Sequence, residues 1–292
     1  MSNSKTKIQQ YHLHKEYPGK LQFEVYSMKE YLKRSSEKVI LPHSHSFYQV
    51  LWFFNGGITH SVDFKTYDLK ENTALFIAKD QVHAFDENLD TEGWIIHFNE
   101  SFFMHHDVDV FLKYNIFNTH KKSIYELNQD TIEVASSYIN LIQKEFKEKH
   151  RFGYEDVIRL LLKSLLISLE RLQQSDSGKQ LKITNHYELQ FFKFKELIED
   201  NYKTGLYVSE YASLLNISAK TLTTITKSVV SKSPSQLIAE RIILQSKRDL
   251  KFTSLQVGEI AFQLGFEDVS YFIKYFKRNV GCSPRNFRAR IS

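Results

Sequence analysis

The sequence has a single cysteine, Cys282, in its 292 residues. One thiol excludes an internal disulfide framework and any zinc site built from several cysteines. The chain also lacks an apolar run approaching the roughly 20 residues that a helix needs to cross a bilayer. Residues 1–17 lack the apolar stretch of a signal peptide. These absences predict a cytoplasmic protein without a membrane partner.

Motifs of the common enzyme classes are missing as well. The sequence contains no nucleophile constellation, phosphate-binding loop or paired-carboxylate motif, so we expect no enzyme, no catalytic residues and no cofactor. The chain does contain 42% hydrophobic and 14% aromatic residues. These residues are enough to fill the cores of the two globular domains that the chain length suggests.

The net charge of +5 is unevenly distributed along the chain. From Lys182 onward there are 17 Lys and Arg against 10 Asp and Glu, a charge of +7, which leaves 22 against 24, or −2, upstream. The basic excess therefore belongs to the C-terminal part. A polyanion such as DNA is the partner that this distribution favours.

The two predicted domains differ in their residue patterns. Upstream of about residue 100, short β-branched and aromatic runs bounded by turn residues predict a β-sandwich or barrel. A polar stretch from Gln173 to Gln180 predicts a linker. We expect an N-terminal domain at 1–172, a linker at 173–188 and an all-α C-terminal domain at 189–292, which makes the fold class α+β. The predicted strands are Phe47–Phe54, Ile58–Val62, Ala74–Ile77 and Trp94–Phe98.

Between about residues 130 and 172 the hydrophobic period becomes helical and predicts two helices. The second helix is apolar on more than one face, and such a helix needs two partners. Its own barrel is one candidate partner, and the same helix of a second subunit is the other, which favours a homodimer. The main apolar stripe consists of Ile158, Leu161, Leu162, Leu165, Leu169 and Leu172.

One pattern occurs twice in the basic region, about fifty residues apart. A small residue lets a second helix cross closely, a residue that tolerates positive φ makes the turn, and a cap opens the second helix. This pattern predicts two helix-turn-helix units. Alanine, turn residue, apolar residue and cap are Ala212, Asn216, Ile217 and Ser218 in the first copy, and Ala261, Gly265, Phe266 and Asp268 in the second.

A single helix is predicted between the two copies. Ser233 and Pro234 are a cap and a first-turn proline, and the apolar period continues to about Leu250. Sixteen or so helical residues span roughly 24 Å. With the offset of each flanking unit, the two second helices would lie roughly 34 Å apart, in successive major grooves of one DNA face.

The stretch from Gly265 to Arg288, GFEDVSYFIKYFKRNVGCSPRNFR, resembles the signature of AraC-type transcription regulators. The resemblance covers residues 190–292 firmly and the β-rich part more loosely, where family members often carry a cupin-like sensor barrel followed by dimerising helices. It implies a ligand-responsive regulator of transcription that binds double-stranded DNA. It also implies activation by recruitment of RNA polymerase, the usual mode in this family.

The resemblance further implies that the helices opening at Ser218 and Asp268 enter the major groove. Positions matching the base-contacting residues of the family are Lys220, Thr223, Thr224, Val269, Ser270, Ile273 and Lys274. Positions suited to phosphates are Lys227, Lys277 and Arg278. The first unit departs from the family pattern, because Thr226 stands where a Phe is usual, and we expect weaker packing there.

Residues 42–49, PHSHSFYQ, together with the downstream His83, resemble the metal motif of cupins. Gln49 stands where Glu is expected, and a neutral Gln is a poorer ligand than Glu. This motif leaves an alternative open, in which the protein is a metal-sensing regulator or a metal-dependent enzyme with an appended DNA-binding domain. The candidate metal ligands are His43, His45, Gln49 and His83.

As a sensor, the barrel would enclose a small-molecule effector between aromatic walls and a few polar groups. Stacking aromatics and the family resemblance suggest a sugar. Alternate strand positions point inward, so only about half of the candidates can line a pocket. The candidates are His45, Phe47, Tyr48, Trp52, His83 and Trp94.

Overall fold

The computed structural model describes residues 8–291, apart from 15, 18–19, 87–88, 104–113, 115–122 and 176–185. The chain divides into two compact units between residues 182 and 183. The linker predicted at 173–188 stays a prediction, because its residues 176–185 lie outside the described part. Within the described part, no helix combines the length and the hydropathy of a membrane span.

The described strands of the first unit form two five-stranded sheets. The strands are β1 (Gln9–Tyr11), β2 (Phe23–Ser27), β3 (His43–His45), β4 (Tyr48–Phe53), β5 (Ile58–Val62), β6 (Lys65–Leu69), β7 (Thr73–Ile77), β8 (His83–Phe85), β9 (Gly93–Phe98) and β10 (Ile124–Glu126). One sheet has the order β1-β3-β8-β5-β6 and the other β10-β7-β4-β9-β2. Paired neighbours are antiparallel except β1 and β3, which are parallel.

Apolar side chains of both sheets meet in one buried core. Leu51 and Phe53 of β4 share this core with Ile58 and Val62 of β5, and with the helix α1 (Met28–Val39). Strand alternation explains the choice, because residues two apart point to the same face. Each of these strands therefore has one face directed between the sheets.

Helices α2 (Gln129–Lys147) and α3 (Tyr154–Ser175) follow the β-rich part, as the periodicity predicts. Val50 and Trp52, on the outer face of β4, line a small apolar cavity together with Leu165 and Leu169 of α3. The leucine stripe thus packs against its own sheet. Leu160, on another face of α3, remains 62% exposed.

The described residues of the second unit form helices joined by short turns and loops, with no strand. Its helices are α4 (His186–Asn201), α5 (Val208–Leu214), α6 (Ala219–Val230), α7 (Pro234–Phe252), α8 (Val257–Gln263), α9 (Val269–Val280) and α10 (Pro284–Ile291). Together they confirm the predicted architecture, a mixed α+β chain with N-terminal sheets and a C-terminal helix-turn-helix region. Helix α7 is the predicted spacer, and Ser233 caps it by accepting a hydrogen bond from the Gln236 amide.

The two helix pairs, α5 with α6 and α8 with α9, are closed by the same turn. Asn216 has φ of 56° and Gly265 has φ of 81°, the left-handed conformation that the sequence predicts for these positions. The amide of Ile217 donates to the carbonyl of Ala212, and the amide of Phe266 donates to that of Ala261, both at 3.0 Å. Both alanines are fully buried, so each helix pair crosses closely.

The interior of the first unit contains buried histidine side chains in addition to its apolar core. His43, His45, His60, His83 and His97 are all buried. Burial lowers the pKa of His45 and of His60 to about 3, and burial lowers the pKa of His83 well below its ordinary value. These rings are therefore neutral at pH 7, because a low-dielectric interior disfavours the charged form.

We expect Phe276→Ala to lower the free energy of unfolding of the second unit by about 3–5 kcal/mol, because it empties a large buried site in α9. The matched control is Phe262→Ala in α8, where the ring is 61% exposed and its loss should change stability by less than about 0.5 kcal/mol. Denaturant titration of the full chain by circular dichroism measures both. Tryptophan fluorescence isolates the first unit, because Trp52 and Trp94 are the only tryptophans. Equal midpoints for the two variants would contradict the assignment of the core.

We expect the first unit to lose stability as the pH falls from about 6.5 toward about 3. In the unfolded chain a histidine binds a proton near pH 6.5, whereas His45 and His60 in the folded unit do so only near pH 3, so acid favours the unfolded state across that interval. Tryptophan fluorescence in denaturant at a series of pH values measures this loss. His60→Leu should reduce the pH dependence, and the exposed His150→Leu should not. Unaltered pH dependence in His60→Leu would refute the explanation.

Candidate nucleic-acid interface

Helix α9 has a buried aromatic face and an exposed face of mixed chemistry. Phe272 and Phe276 are fully buried. Asp268 caps the helix by accepting hydrogen bonds from the amides of Ser270 and Tyr271. The opposite face exposes Ser270, Ile273, Lys274, Lys277 and Arg278, while Val269 is half-buried. Five of the predicted DNA-contacting residues of this unit are thus accessible together on one helix.

Helix α6 repeats this division with smaller side chains. Leu222, Ile225 and Thr226 are buried, whereas Lys220, Thr224 and Lys227 are exposed and Thr223 is half-buried. Ser218 caps the helix by accepting from the amide of Thr221. Thr226, at the position where Phe is usual, is completely buried and donates to the carbonyl of Thr223.

The hydroxyls of the two predicted base-contacting threonines are already used as donors. Thr223 Oγ1 donates to the Ala219 carbonyl at 2.9 Å, and Thr224 Oγ1 donates to the Lys220 carbonyl at 3.1 Å. Such bonds to the preceding turn are typical of threonine in helices. What these residues can offer to a ligand is therefore a methyl group and oxygen lone pairs. Lys220 is the predicted donor of this helix.

Aromatic side chains of the second unit contact one another and one of the exposed cations of α9. The guanidinium of Arg278 lies 5.6 Å from the centroid of the Tyr275 ring. Burial raises the pKa of Tyr275 to about 12, with Tyr271 adding to the shift and Arg278 opposing it. The Tyr275 phenol is therefore protonated at neutral pH. Phe266 packs edge-on against Phe272 at 5.1 Å between centroids, which connects the turn to the buried face of α9.

Two further exposed cations of the second unit were not among the predicted DNA-contacting residues. Arg285 and Arg290 lie on α10, the helix directly after α9. Ser283 accepts from the amide of Asn286 and precedes Pro284. This is the same Ser-Pro start that marks α7 at Ser233 and Pro234, so the signal for a further helix was present in the sequence.

The six candidate effector ligands of the first unit do not share one interior. His45, Phe47 and His83 are in ring contact and lie between the sheets, with His45 4.4 Å from Phe47 and 4.9 Å from His83 between centroids. Tyr48, Trp52 and Trp94 occupy the other face of their strands, since β4 and β9 are paired in register. Tyr48, Trp52 and Trp94 therefore do not face the space between the sheets that His45, Phe47 and His83 share.

Several buried polar atoms between the sheets have no hydrogen-bond partner among the residues that the structure describes. His45 Nε2, Gln49 Oε1 and His83 Nε2 are among them. His45 Nδ1 donates to the Phe47 carbonyl at 2.5 Å, which leaves Nε2 as a lone-pair acceptor. His60 and His97 belong to the same polar region, since His60 Nε2 lies 3.1 Å from His83 Nδ1 and His97 Nε2 lies 2.7 Å from Gln49 Nε2.

His60 and His97 escaped the sequence analysis, although each alternates with inward-facing apolar residues. His60 lies between Ile58 and Val62 on β5, and His97 lies two residues after Ile95 on β9.

The metal hypothesis for His43, His45, Gln49 and His83 gains no support. In the described residues, no three or more His, Cys, Asp or Glu side chains are gathered in an arrangement that fits a metal ion.

Residues 211–290 match the model of a helix-turn-helix domain family. The chain is 24% identical over 257 residues to the HTH-type transcriptional activator RhaS of Mannheimia succiniciproducens, which covers 87% of this chain and 91% of the relative. A transcriptional regulator from Chromobacterium violaceum, described as containing an AraC-type DNA-binding domain, is 21% identical and covers 36% of this chain and 94% of its own, with a TM-score of 0.34. ToxT of Vibrio cholerae is 14% identical and covers 93% of this chain and 99% of its own, with a TM-score of 0.40. The matched residues 211–290 contain both helix pairs apart from the start of α5, so the family match agrees with the two helix-turn-helix units that the sequence predicts.

Proposed function

We propose that this protein is a sequence-specific DNA-binding regulator of transcription that responds to a small molecule. The observation that carries the proposal is the duplicated helix pair, in which α6 and α9 each bury one face and expose an opposite face that carries lysine side chains. A helix of this kind fits the major groove, where base edges carry a distinct pattern of donors, acceptors and methyl groups. The similarity to the transcriptional activator RhaS supports regulation of transcription, with activation as the sign.

Each exposed residue has a role that follows from its chemistry. Lys220 and Lys274 suit the acceptors on guanine edges, and Val269 and Ile273 suit thymine methyl groups. Thr223, Thr224 and Ser270 offer oxygen lone pairs to base amino groups. The phosphate contacts, which position the helix without selecting a sequence, are assigned to Lys227, Lys277, Arg278, Arg285 and Arg290.

The first unit is proposed as a cupin-like sensor whose effector binds between the sheets. Polar atoms of His45, Gln49 and His83 that have no partner in the described part of the chain support this site, because buried polar atoms without partners are rare unless they have a further role. An effector that binds two arrangements of the protein unequally would shift their populations and hence promoter occupancy. RNA polymerase is the proposed partner for activation. The protein acts in the cytoplasm and carries out no enzymatic reaction.

Selection of bound duplexes from random DNA with the full chain tests the central proposal. We expect enrichment of a sequence with two half-sites, one for α6 and one for α9. Its affinity should fall steeply as the salt concentration rises. A chain that shows no preference over random competitor duplex would refute the proposed function. The selected sequence then serves as the operator for the variants below.

Lys274→Ala should relax the base preference at one operator position by about 1–3 kcal/mol, because it removes a base-edge donor. Lys277→Ala is the matched control, one turn further along the same exposed helix. It should weaken binding to all sequences alike and reduce the salt slope by about one, as expected for a lost phosphate contact. Affinities for the operator and its single-position variants, measured at several salt concentrations, distinguish the two roles. The reverse result would overturn both assignments.

Leu160→Glu should convert a homodimer to a monomer, because Leu160 on α3 is 62% exposed and its charged replacement cannot be buried at an interface. The matched control is Leu41→Glu in the same unit, where the leucine is 48% exposed and lies after α1. Sedimentation of the full chain with and without operator gives the masses. A dimer that persists in Leu160→Glu would place the interface elsewhere.

A further inference from the structure

Gly265, in the turn between α8 and α9, lies close to the loop that connects α4 to the first helix pair. A Cβ atom at Gly265 would lie 2.1 Å from the carbonyl oxygen of Lys203 and 2.8 Å from its carbonyl carbon. Lys203 lies in the loop between α4 and α5. Both of these contacts are with backbone atoms, which cannot move aside as a flexible side chain does. Only a residue without a side chain fits at this position.

The turn conformation alone does not require glycine. Asn216 occupies the same place in the first helix pair, with φ of 56° against 81° at Gly265, and asparagine tolerates this region well. The two turns also make the same backbone hydrogen bond, to Ala212 and to Ala261. What distinguishes Gly265 from Asn216 is therefore the close approach of Lys203.

A second contact near Lys203 joins α4 to the spacer helix α7. Arg241 of α7 is 7% exposed, and its Nε lies 2.6 Å from Oε2 of Glu199 in α4. Its guanidinium also lies 3.9 Å from the centroid of the Tyr202 ring. A charge-assisted hydrogen bond with one buried partner, Arg241, favours one relative geometry of the two helices. The spacer is thus fixed to α4 just before the loop that contacts Gly265.

Two rigidly joined helices can read DNA only at one spacing. Moving one half-site by one base pair shifts it along the axis by about 3.4 Å and rotates it by roughly a tenth of a turn. We infer that the contact of Gly265 with the Lys203 carbonyl, braced by Arg241 and Glu199, fixes the separation and phase of α6 and α9. Gly265 is then a positioning residue that determines which half-site spacing is recognised. This inference rests on the proposed function.

The test compares Gly265→Asn with Gly281→Asn in the full chain. Gly281 also has a left-handed backbone, with φ of 86°, but a Cβ there would meet nothing within 4 Å. The two variants therefore share the conformational cost and differ in the overlap with Lys203. Affinities are measured for the selected operator and for versions with one or two base pairs inserted or removed between the half-sites.

The wild type and Gly281→Asn should show one sharp spacing optimum. Gly265→Asn should lose about tenfold in affinity at that spacing and lose less at altered spacings, so that its optimum moves or flattens. Glu199→Gln, which removes the charge from the brace, should flatten the profile without loss of fold. Circular dichroism establishes that each variant is folded.

An unchanged spacing profile in folded Gly265→Asn would overturn the inference, even if overall affinity fell. If Gly265→Asn does not fold, Glu199→Gln decides, and a wild-type profile in that variant is the overturning result. Failure of the proposed function is a different outcome, because in that case the wild type itself selects no duplex.

Discussion

The left-handed turn between two crossed helices is the constraint on which the second unit depends. In each pair the amide of the residue after the left-handed turn residue donates a hydrogen bond to the carbonyl of the buried alanine, Ala212 or Ala261, at 3.0 Å. That bond fixes where the next helix starts, and its cap fixes where the first exposed side chain lies. A side chain larger than alanine at either position would separate the helices, and the exposed faces of α6 and α9 would lose their positions.

The two pairs achieve the same geometry with different cores. Helix α9 is anchored by Phe272 and Phe276, which pack on each other 6.1 Å apart between centroids. Helix α6 has Thr226 at the second of these places, and its hydroxyl must be satisfied within the helix. The aromatic volume for the first pair comes from α4 instead, where Phe194 packs edge-on against Tyr211 at 5.7 Å. The core of the first pair therefore includes an aromatic residue from a neighbouring helix.

Features of the fold could be predicted from the sequence where they depend on residues close together in the chain. The turn residues, the caps and the spacer helix were predictable, because each is set by residue types at short, fixed spacings. Strand β5 was predicted with its bounds, since it alternates cleanly. Helix α1 was missed, although Met28, Leu32 and Val39 recur at helical spacing, because its remaining residues are polar and it interrupts a β-rich region.

The interior of the first unit shows what local patterns cannot provide. Alternation predicts that half of the aromatic candidates point inward, but it does not say which half. That choice is made by the pairing of β4 with β9 and by the helices α2 and α3, which cover Trp52 with Leu165 and Leu169. His60 and His97 join His45 and His83 only through such long-range pairing. Contacts of this kind connect residues far apart in the sequence, so a motif search centred on residues 42–49 finds only part of the cluster.

A braced pair of helices also limits how an effector can act on the proposed regulator. If α6 and α9 are held in one separation, a ligand in the first unit gains nothing by changing the spacing within the second, because the Gly265 contact and the Arg241 bond would both have to break. A ligand shifts an equilibrium only by its differential affinity for the two states. The less costly switch for the proposed regulator is one that leaves the separation of α6 and α9 unchanged, so that the two proposed DNA-contacting faces stay in register.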